Sequence, residues 1–255
     1  VSDTAPDRWQ RSGSWIRMFA ELLSWQNQRV ALALFAYRAA PQVRLTSDPN
    51  ALFFFLNYLD EEPPFRLEDD TSWDTNIEEG IYWGVKMIER DAELYGERLS
   101  AKAFIVISDG QSWSGEVDEA LRLARSRDIR VYVIGVGTTA GGLIPQLPVG
   151  IYEQPEEPIH SVLDRQSLRA IAEAGGGEYY ELGVDSAQDV ALRILSDVQS
   201  RAGSTQRQET YTELYWFLLA AAAGLVCLGT CLLQERTQLW WQLAGASGMV
   251  ALLMS

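Results

Sequence analysis

Short apolar runs of strand length alternate with amphipathic helical stretches from residue 9 to residue 201, and this alternation constrains the fold more than any other feature. Residues 30–37 (VALALFAY), 104–110 (FIVISDG) and 131–136 (VYVIGV) are nearly continuous apolar runs, as expected of strands buried on both faces. EYYEL at 178–182 is a fourth strand candidate. Between them lie helical patterns. In residues 9–25, Trp15, Ile16, Phe19, Leu22 and Leu23 fall on one helical face. Residues 52–59 form the body of a second helix, with Asp48 able to cap it and Pro49 in its first turn. Further helices are predicted over 76–94, 116–127, 165–174 and 187–201, and Gly175, Gly176 and Gly177 stop the one before them. Strands separated by crossovers of about ten or more residues call for a parallel, doubly wound α/β sheet with right-handed connections. In such sheets ligands bind where loops leave the carboxyl ends of the strands, so those loops are where chemistry is sought.

The alternation ends at a charge-free run. Residues 214–233, LYWFLLAAAAGLVCLGTCLL, contain no charged side chain. Twenty residues at about 1.5 Å each match a hydrocarbon core of roughly 30 Å. Tyr211, Tyr215 and Trp216 stand at the leading edge, where amphipathic rings favour headgroups. A second apolar run, 239–254, follows a polar break and suits a second membrane helix or an interfacial one. The expected organisation is therefore a domain over 1–202, a linker over 203–213, a membrane span over 214–233 and the possible second helix over 239–254. The chain starts at Val1 with no hydrophobic leader, so any targeting signal is expected upstream.

Composition removes several function classes. The net charge is −14, and residues 1–210 carry 20 basic against 33 acidic side chains, which disfavours nucleic acid and anionic headgroups as ligands. Nine Trp, ten Tyr and eight Phe exclude a disordered chain. Both cysteines, Cys227 and Cys231, lie in the apolar run, so neither a disulfide framework nor a cysteine zinc site is available to the domain. The single histidine, His160, sits among prolines with no nucleophile pattern nearby, which suits a surface residue rather than a base. GVGTTAG at 135–141 lacks the third glycine of a dinucleotide turn, and Leu143-Ile144-Pro145 stands where a helix would open. The acidic residues Glu61, Glu62, Glu68, Asp69 and Asp70 lack EF-hand spacing and fit a solvated loop.

Two places carry chemistry. Ser108, Asp109 and Gly110 close the FIVIS strand, putting a carboxylate at a strand's carboxyl end. Asp74, Thr75 and Asn76 open a helix, where Asp74 or Thr75 could serve as an N-cap. Gly80 within that helix permits close packing.

Taken with residues 29–48, DTNIEEGI at 74–81, FIVISDG at 104–110 and VYVIGVG at 131–137, these stretches resemble the von Willebrand factor type A (VWA) family in order and spacing over about residues 1–200. The resemblance implies a metal-ion-dependent adhesion site holding Mg²⁺ or Mn²⁺ on hard oxygen ligands. Thr75 and Asp109 match two of the family's ligand positions. The third element, DxSxS after the first strand, is absent from the chain. SDTAPDRW at 2–9 is similar to the family segment that follows that motif. The first, central strand and its motif are therefore expected upstream; the rival is a degenerate domain without the metal site. SVLDRQSLRAIAEAGGGEYYEL at 161–182, followed by an anchor, resembles bacterial membrane-anchored VWA proteins of the aerotolerance (Bat) and methanol-oxidation accessory type. That implies work beside MoxR-type AAA+ ATPases in assembling or maturing other proteins, at the bacterial inner membrane. The cysteine-free domain and the resemblance both point to an extracytoplasmic face.

The expected function is binding without catalysis. Asp109 acts on the metal directly or through water, Thr75 completes the site in the partner-bound state, and a partner protein supplies an acidic side chain. Trp73 and Trp113 adjoin the same loops and either contact that partner or cap the core locally. The alternatives are a metal-dependent hydrolase using Asp109 and a scaffold without a functional metal.

Overall fold

The computed structural model describes residues 3–36, 38–61, 75–97, 100–110, 116–143 and 160–205, together with 219–220, 222–226 and 229. Two compact units divide the chain, residues 1–206 and residues 207–255.

In the first unit, helix α1 (Arg8–Glu21) opens on Asp7, whose carboxylate accepts from the Gln10 N–H at 2.8 Å. It ends four residues earlier than the apolar pattern suggests. Past its C-cap Leu22, the chain turns over 24–28 and the Trp25 indole donates back to Ala20 O. Strand β1 (Val30–Phe35) pairs antiparallel with β2 (Ala39–Thr46), with Leu34 opposite Ala40 and Leu32 opposite Val43. Helix α2 (Pro49–Glu61) follows, its first turn fixed by Asp48 accepting from Asn50 N. Helix α3 (Ile77–Tyr95) comes next, then β3 (Lys102–Ser108), α4 (Val117–Ser126) and β4 (Ile129–Gly135). The two-residue strands β5 (Gly142–Leu143) and β6 (His160–Ser161) pair antiparallel, leaving His160 exposed. Helix α5 (Arg165–Ala174), β7 (Gly176–Glu181) and α6 (Ala187–Thr205) complete the unit.

The parallel sheet runs β3–β4–β7, with β4 in the middle, and agrees with the expected α/β fold. Strand β4 explains why its sequence is apolar throughout. Val131 and Val133 face a layer of α3, α4 and α5 side chains, including Ile77, Ile81, Val85, Leu121, Leu168 and Ile171. Tyr132 and Ile134, one residue out of phase, face Trp15 of α1 and Val190, Ala191 and Ile194 of α6. Alternate residues of one strand thus serve two cores, which is what helices on both faces of a sheet require. A third cluster packs Leu52, Leu56 and Leu59 of α2 against Val43 and Ala20.

A separate two-stranded sheet, β1–β2, is antiparallel. Strand β2 is an antiparallel addition beside β1, and Pro41 within it fits an edge position, where a missing N–H is tolerated. Among the described residues β1 hydrogen-bonds to β2 and β3 to β4, and no ladder joins β1 to β3. Both nevertheless lean on α3, where small residues let aromatic rings in. A Cβ on Gly80 would meet the Phe35 ring at 3.0 Å, and one on Gly84 the Phe104 ring at 2.9 Å. The N-cap of α3 is Asn76, which accepts from Glu79 N, and not Asp74 or Thr75 as expected.

In the second unit, residues 219, 220, 222–226 and 229 are helical, and Leu219, Leu225 and Val226 are exposed. The rest of the predicted span 214–233, and all of 239–254, lie outside the described residues. Among the described residues no helix is long and apolar enough to cross a membrane.

Candidate functional site

The carboxyl ends of β3 and β4 carry the candidate site. Asp109 follows β3 directly, and its backbone is held on two sides. Its carbonyl accepts from Asp164 N at 2.8 Å, while Ser108 O accepts from Val136 N at 3.0 Å. Asp164 caps α5, accepting from Gln166 N, Ser167 N and the Ser167 hydroxyl, and these bonds hold its carboxyl below the usual range. Gly110 makes the turn possible, with φ of +85° and no room for a side chain between it and α5.

Thr75 stands at the end of β1. The next residue, Asn76, donates its backbone N–H to Ala36 O at 2.8 Å, fixing the α3 N-terminus beside the carboxyl end of that strand. The α4 N-terminus comes to the same end, because Glu116 N donates to Glu78 of α3 at 2.5 Å. Thr75 and Asp109 therefore belong to loops on one rim of the domain. Asp74, Trp73 and Trp113 lie outside the described residues, as do Glu62, Glu68, Asp69 and Asp70 of the acidic loop.

Sequence reasoning missed the group that surrounds Asp109. Arg8, in the first turn of α1, sends Nη1 to Asp109 Oδ2 at 2.7 Å and to the Ser161 hydroxyl at 2.7 Å. Its Nε and Nη2 make a fork on Asp3, at 2.9 and 2.6 Å. Nη2 also donates to Ser161 O at 2.9 Å, and the Ser161 hydroxyl donates to Asp109 Oδ2 at 2.7 Å. Asp3 takes two more donors, Thr138 N at 2.9 Å and the Thr138 hydroxyl at 3.0 Å. A side chain on Gly137 would sit 2.7 Å from Arg8 Nε, so this turn must be glycine for the guanidinium to pass. The GVG turn of residues 135–137 thus serves an internal ion pair.

Burial sets the value of these contacts. The Asp3 and Arg8 side chains are 1% and 8% exposed, whereas Asp109 is 22% exposed. The Arg8 guanidinium, helped by Thr138, holds the Asp3 carboxyl well below the usual carboxylate range against the opposing effect of burial. Removing Arg8 would leave the Asp3 charge buried without a counter-charge, a loss of about 3–5 kcal/mol. No local pattern announces the cluster, because its contacts reach across as many as 153 positions in the chain. The one legible hint is charge: Asp3, Asp7 and Arg8 crowd a segment that otherwise reads as a helix start.

The donor set suits a hard cation in part. Asp109 supplies a carboxylate and Thr75 a hydroxyl, the oxygen chemistry that Mg²⁺ and Mn²⁺ prefer while keeping several waters. Among the described residues no group of three or more His, Cys, Asp or Glu converges as a metal cage. Oδ2 is already engaged by Arg8 and Ser161, so the described contacts orient the carboxylate as well as using it.

Comparison with known proteins bears on the fold and the family. A UPF0353 protein of Nocardia farcinica is 27% identical over 161 residues, covering 58% of this chain and 47% of that protein, so the chain spans about half the length of the curated relative it matches. Among solved structures, an aerotolerance-related membrane protein from Bacteroides fragilis aligns with a TM-score of 0.62 at 23% identity, covering 78% of this chain and 91% of the other. BatB from Bacteroides thetaiotaomicron aligns with a TM-score of 0.62 at 24% identity, covering 79% and 91%. Manganese-loaded TRAP protein of Plasmodium vivax aligns at 0.50 with 14% identity, covering 76% and 67%. At these identities the structural matches are likenesses of fold. The model of the von Willebrand factor type A domain matches residues 2–191, and the chain belongs to that family.

Proposed function

We propose that this chain is a membrane-anchored VWA protein that captures partner proteins through a divalent cation held at Asp109 and Thr75. The observation that carries the reading is the placement of Asp109. It is a half-buried carboxylate directly after β3, on the rim that also bears Thr75, with one oxygen fixed by Arg8 and Ser161. When bound, Mg²⁺ or Mn²⁺ would supply a Lewis-acidic centre with open positions for a partner's Asp or Glu. No turnover is needed, and the protein acts as an adaptor. The manganese-loaded Plasmodium vivax protein of similar fold supports a cation of this kind.

The anchor is the apolar run at 214–233, whose described part is helical and presents exposed Leu219, Leu225 and Val226. The aerotolerance-related membrane protein of Bacteroides fragilis, alike in fold, supports membrane attachment. We further propose the bacterial inner membrane with the VWA domain on its extracytoplasmic side. The process is assembly or maturation of other proteins beside a MoxR-type AAA+ ATPase. Trp73 and Trp113 are the proposed aromatic contacts to the partner.

Calorimetric titration of the full chain with Mn²⁺ and Mg²⁺ tests the site. One saturable event is expected, lost in Asp109→Ala and weakened at least tenfold in Thr75→Ala. Partner capture from membrane extracts should disappear with chelator. Capture that persists in chelator and in Asp109→Ala would leave a scaffold without a working metal.

A further inference from the structure

One guanidinium and two carboxylates meet behind the carboxyl ends of β3 and β4, and their charges do not cancel. Arg8 contributes +1, Asp3 −1 and Asp109 −1, so the group carries a surplus of one negative charge. The geometry decides where that surplus sits. Asp3 takes the fork of Nε and Nη2, receives two further donors from Thr138, and is 1% exposed. Asp109 takes the single remaining Nη1 and is 22% exposed. The interior pair is therefore Arg8 with Asp3, and the surplus lies on Asp109, the most accessible of the three. A depressed Asp3 pKa agrees with a carboxylate that stays charged in this place.

We propose that Asp3 and Arg8 form a positioning pair for Asp109. Arg8 fixes Oδ2 jointly with the Ser161 hydroxyl, while Asp3 cancels the Arg8 charge so that Asp109 stays negative toward a divalent cation. The inference rests on Asp109 being the cation ligand. Without Asp3, Arg8 would keep Asp109 as its one carboxylate, and a dication would meet a neutral pair. The guanidinium lies 2.7 Å from Oδ2, well inside a Debye length of about 8 Å at physiological salt, and is almost excluded from water, so its repulsion of a cation would be poorly screened. A bidentate fork to Asp3 is the arrangement in which arginine binds a carboxylate most firmly. Thr138 adds to this by holding Asp3 in place, which ties the segment before α1 to the turn after β4. The same pair explains why Arg8 can sit beside a candidate metal ligand at all.

Mn²⁺ titration of the full chain separates charge from structure. Asp3→Asn should weaken binding tenfold or more, and Asp3→Glu should stay within about threefold of wild type because the charge is kept. The decisive variant is Asp3→Asn with Arg8→Met, which removes the guanidinium that would neutralise Asp109 and, with the Ser161 hydroxyl still on Oδ2, should bind several-fold more tightly than Asp3→Asn alone. If Asp3→Asn binds as wild type does, or the double variant binds no better than the single, the proposal is overturned. Should wild type bind no Mn²⁺, the metal reading fails, and heat denaturation in chelator decides this one. Asp109→Asn should then lower Tm several degrees more in the Asp3→Asn background than in wild type, and this excess should vanish when Arg8→Met is added. Additive Tm losses at positions 3 and 109 would overturn it by that route.

Discussion

Gly110→Ala tests the rigidity on which the site depends. Gly110 follows Asp109, has φ of +85°, and faces the start of α5. A Cβ there would lie 2.7 Å from Leu168 Cγ and 2.8 Å from Asp164 O. Neither neighbour yields easily. Leu168 is fully buried, and Asp164 caps α5 while its N–H bonds Asp109 O at 2.8 Å. A left-handed alanine costs about 1–2 kcal/mol, and forcing a methyl into packed surroundings about 1–3 kcal/mol more. With each kcal/mol worth about 2–4 °C in a domain of this size, Tm should fall by about 4–20 °C. Gly176→Ala supplies the control. Its φ is also positive, +72°, and nothing lies within 4 Å of the added carbon. It should show the conformational cost alone, about 2–8 °C by the same conversion. Differential scanning calorimetry of both variants reads the two apart. Equal Tm losses would refute the claim that the turn bearing Asp109 is wedged against α5.

Other consequences follow from the same contacts. Leu168→Ala removes a fully buried side chain beneath that turn, and denaturant titration should show a loss of about 2–5 kcal/mol. Acid should unfold the domain through carboxylates that hold their charge more firmly folded than unfolded. Asp3, held down chiefly by Arg8, and Glu181, held down chiefly by Arg165, keep pKa values below their unfolded ones of about 4. The unfolded chain then binds more protons, so the stability these groups supply is complete above about pH 5 and is lost as pH falls below about 4. Circular dichroism against pH should place that loss at a lower pH than in Arg165→Met, whose Glu181 titrates nearer the normal range. Cutting the chain after Gln206 should release the domain from the membrane fraction without changing its Tm; if the cut protein still sediments with membranes, residues 207–255 are not the anchor.

Much of the fold is legible because it obeys local periods. The apolar runs at 104–110 and 131–136 announce strands covered on both sides, and β4 does send Val131 and Val133 to one core and Tyr132 and Ile134 to the other. Helix α5 begins where Arg165 follows a capping aspartate and ends where glycines begin. Strand β2 is harder to see, because Pro41 interrupts a run whose pairing partner, β1, supplies the ordering. The α3 cap shows the limit of motif reading: Asp74, Thr75 and Asn76 are all able to cap, and the bond from Asn76 N to Ala36 O fixes the frame that makes Asn76 the cap.

The candidate site divides in the same way. Asp109 is singled out in the sequence because its carboxylate closes the FIVIS strand and, together with Thr75, matches ligand positions of the family the chain resembles. Its surroundings are not. Arg8 reaches Asp109 across 101 positions and Ser161 across 153, and Asp3 reaches Thr138 across 135. Helix and strand periods repeat over a few residues, so they register which face of an element is buried and nothing about which loops meet at its end. The sequence alone therefore determines the alternation of elements, the apolar faces and the charge-free run at 214–233, since each depends on neighbours in the chain. Only the tertiary structure decides that Asp3 neutralises Arg8 and leaves the charge on Asp109, because that choice is made by burial and distance among groups the chain keeps far apart.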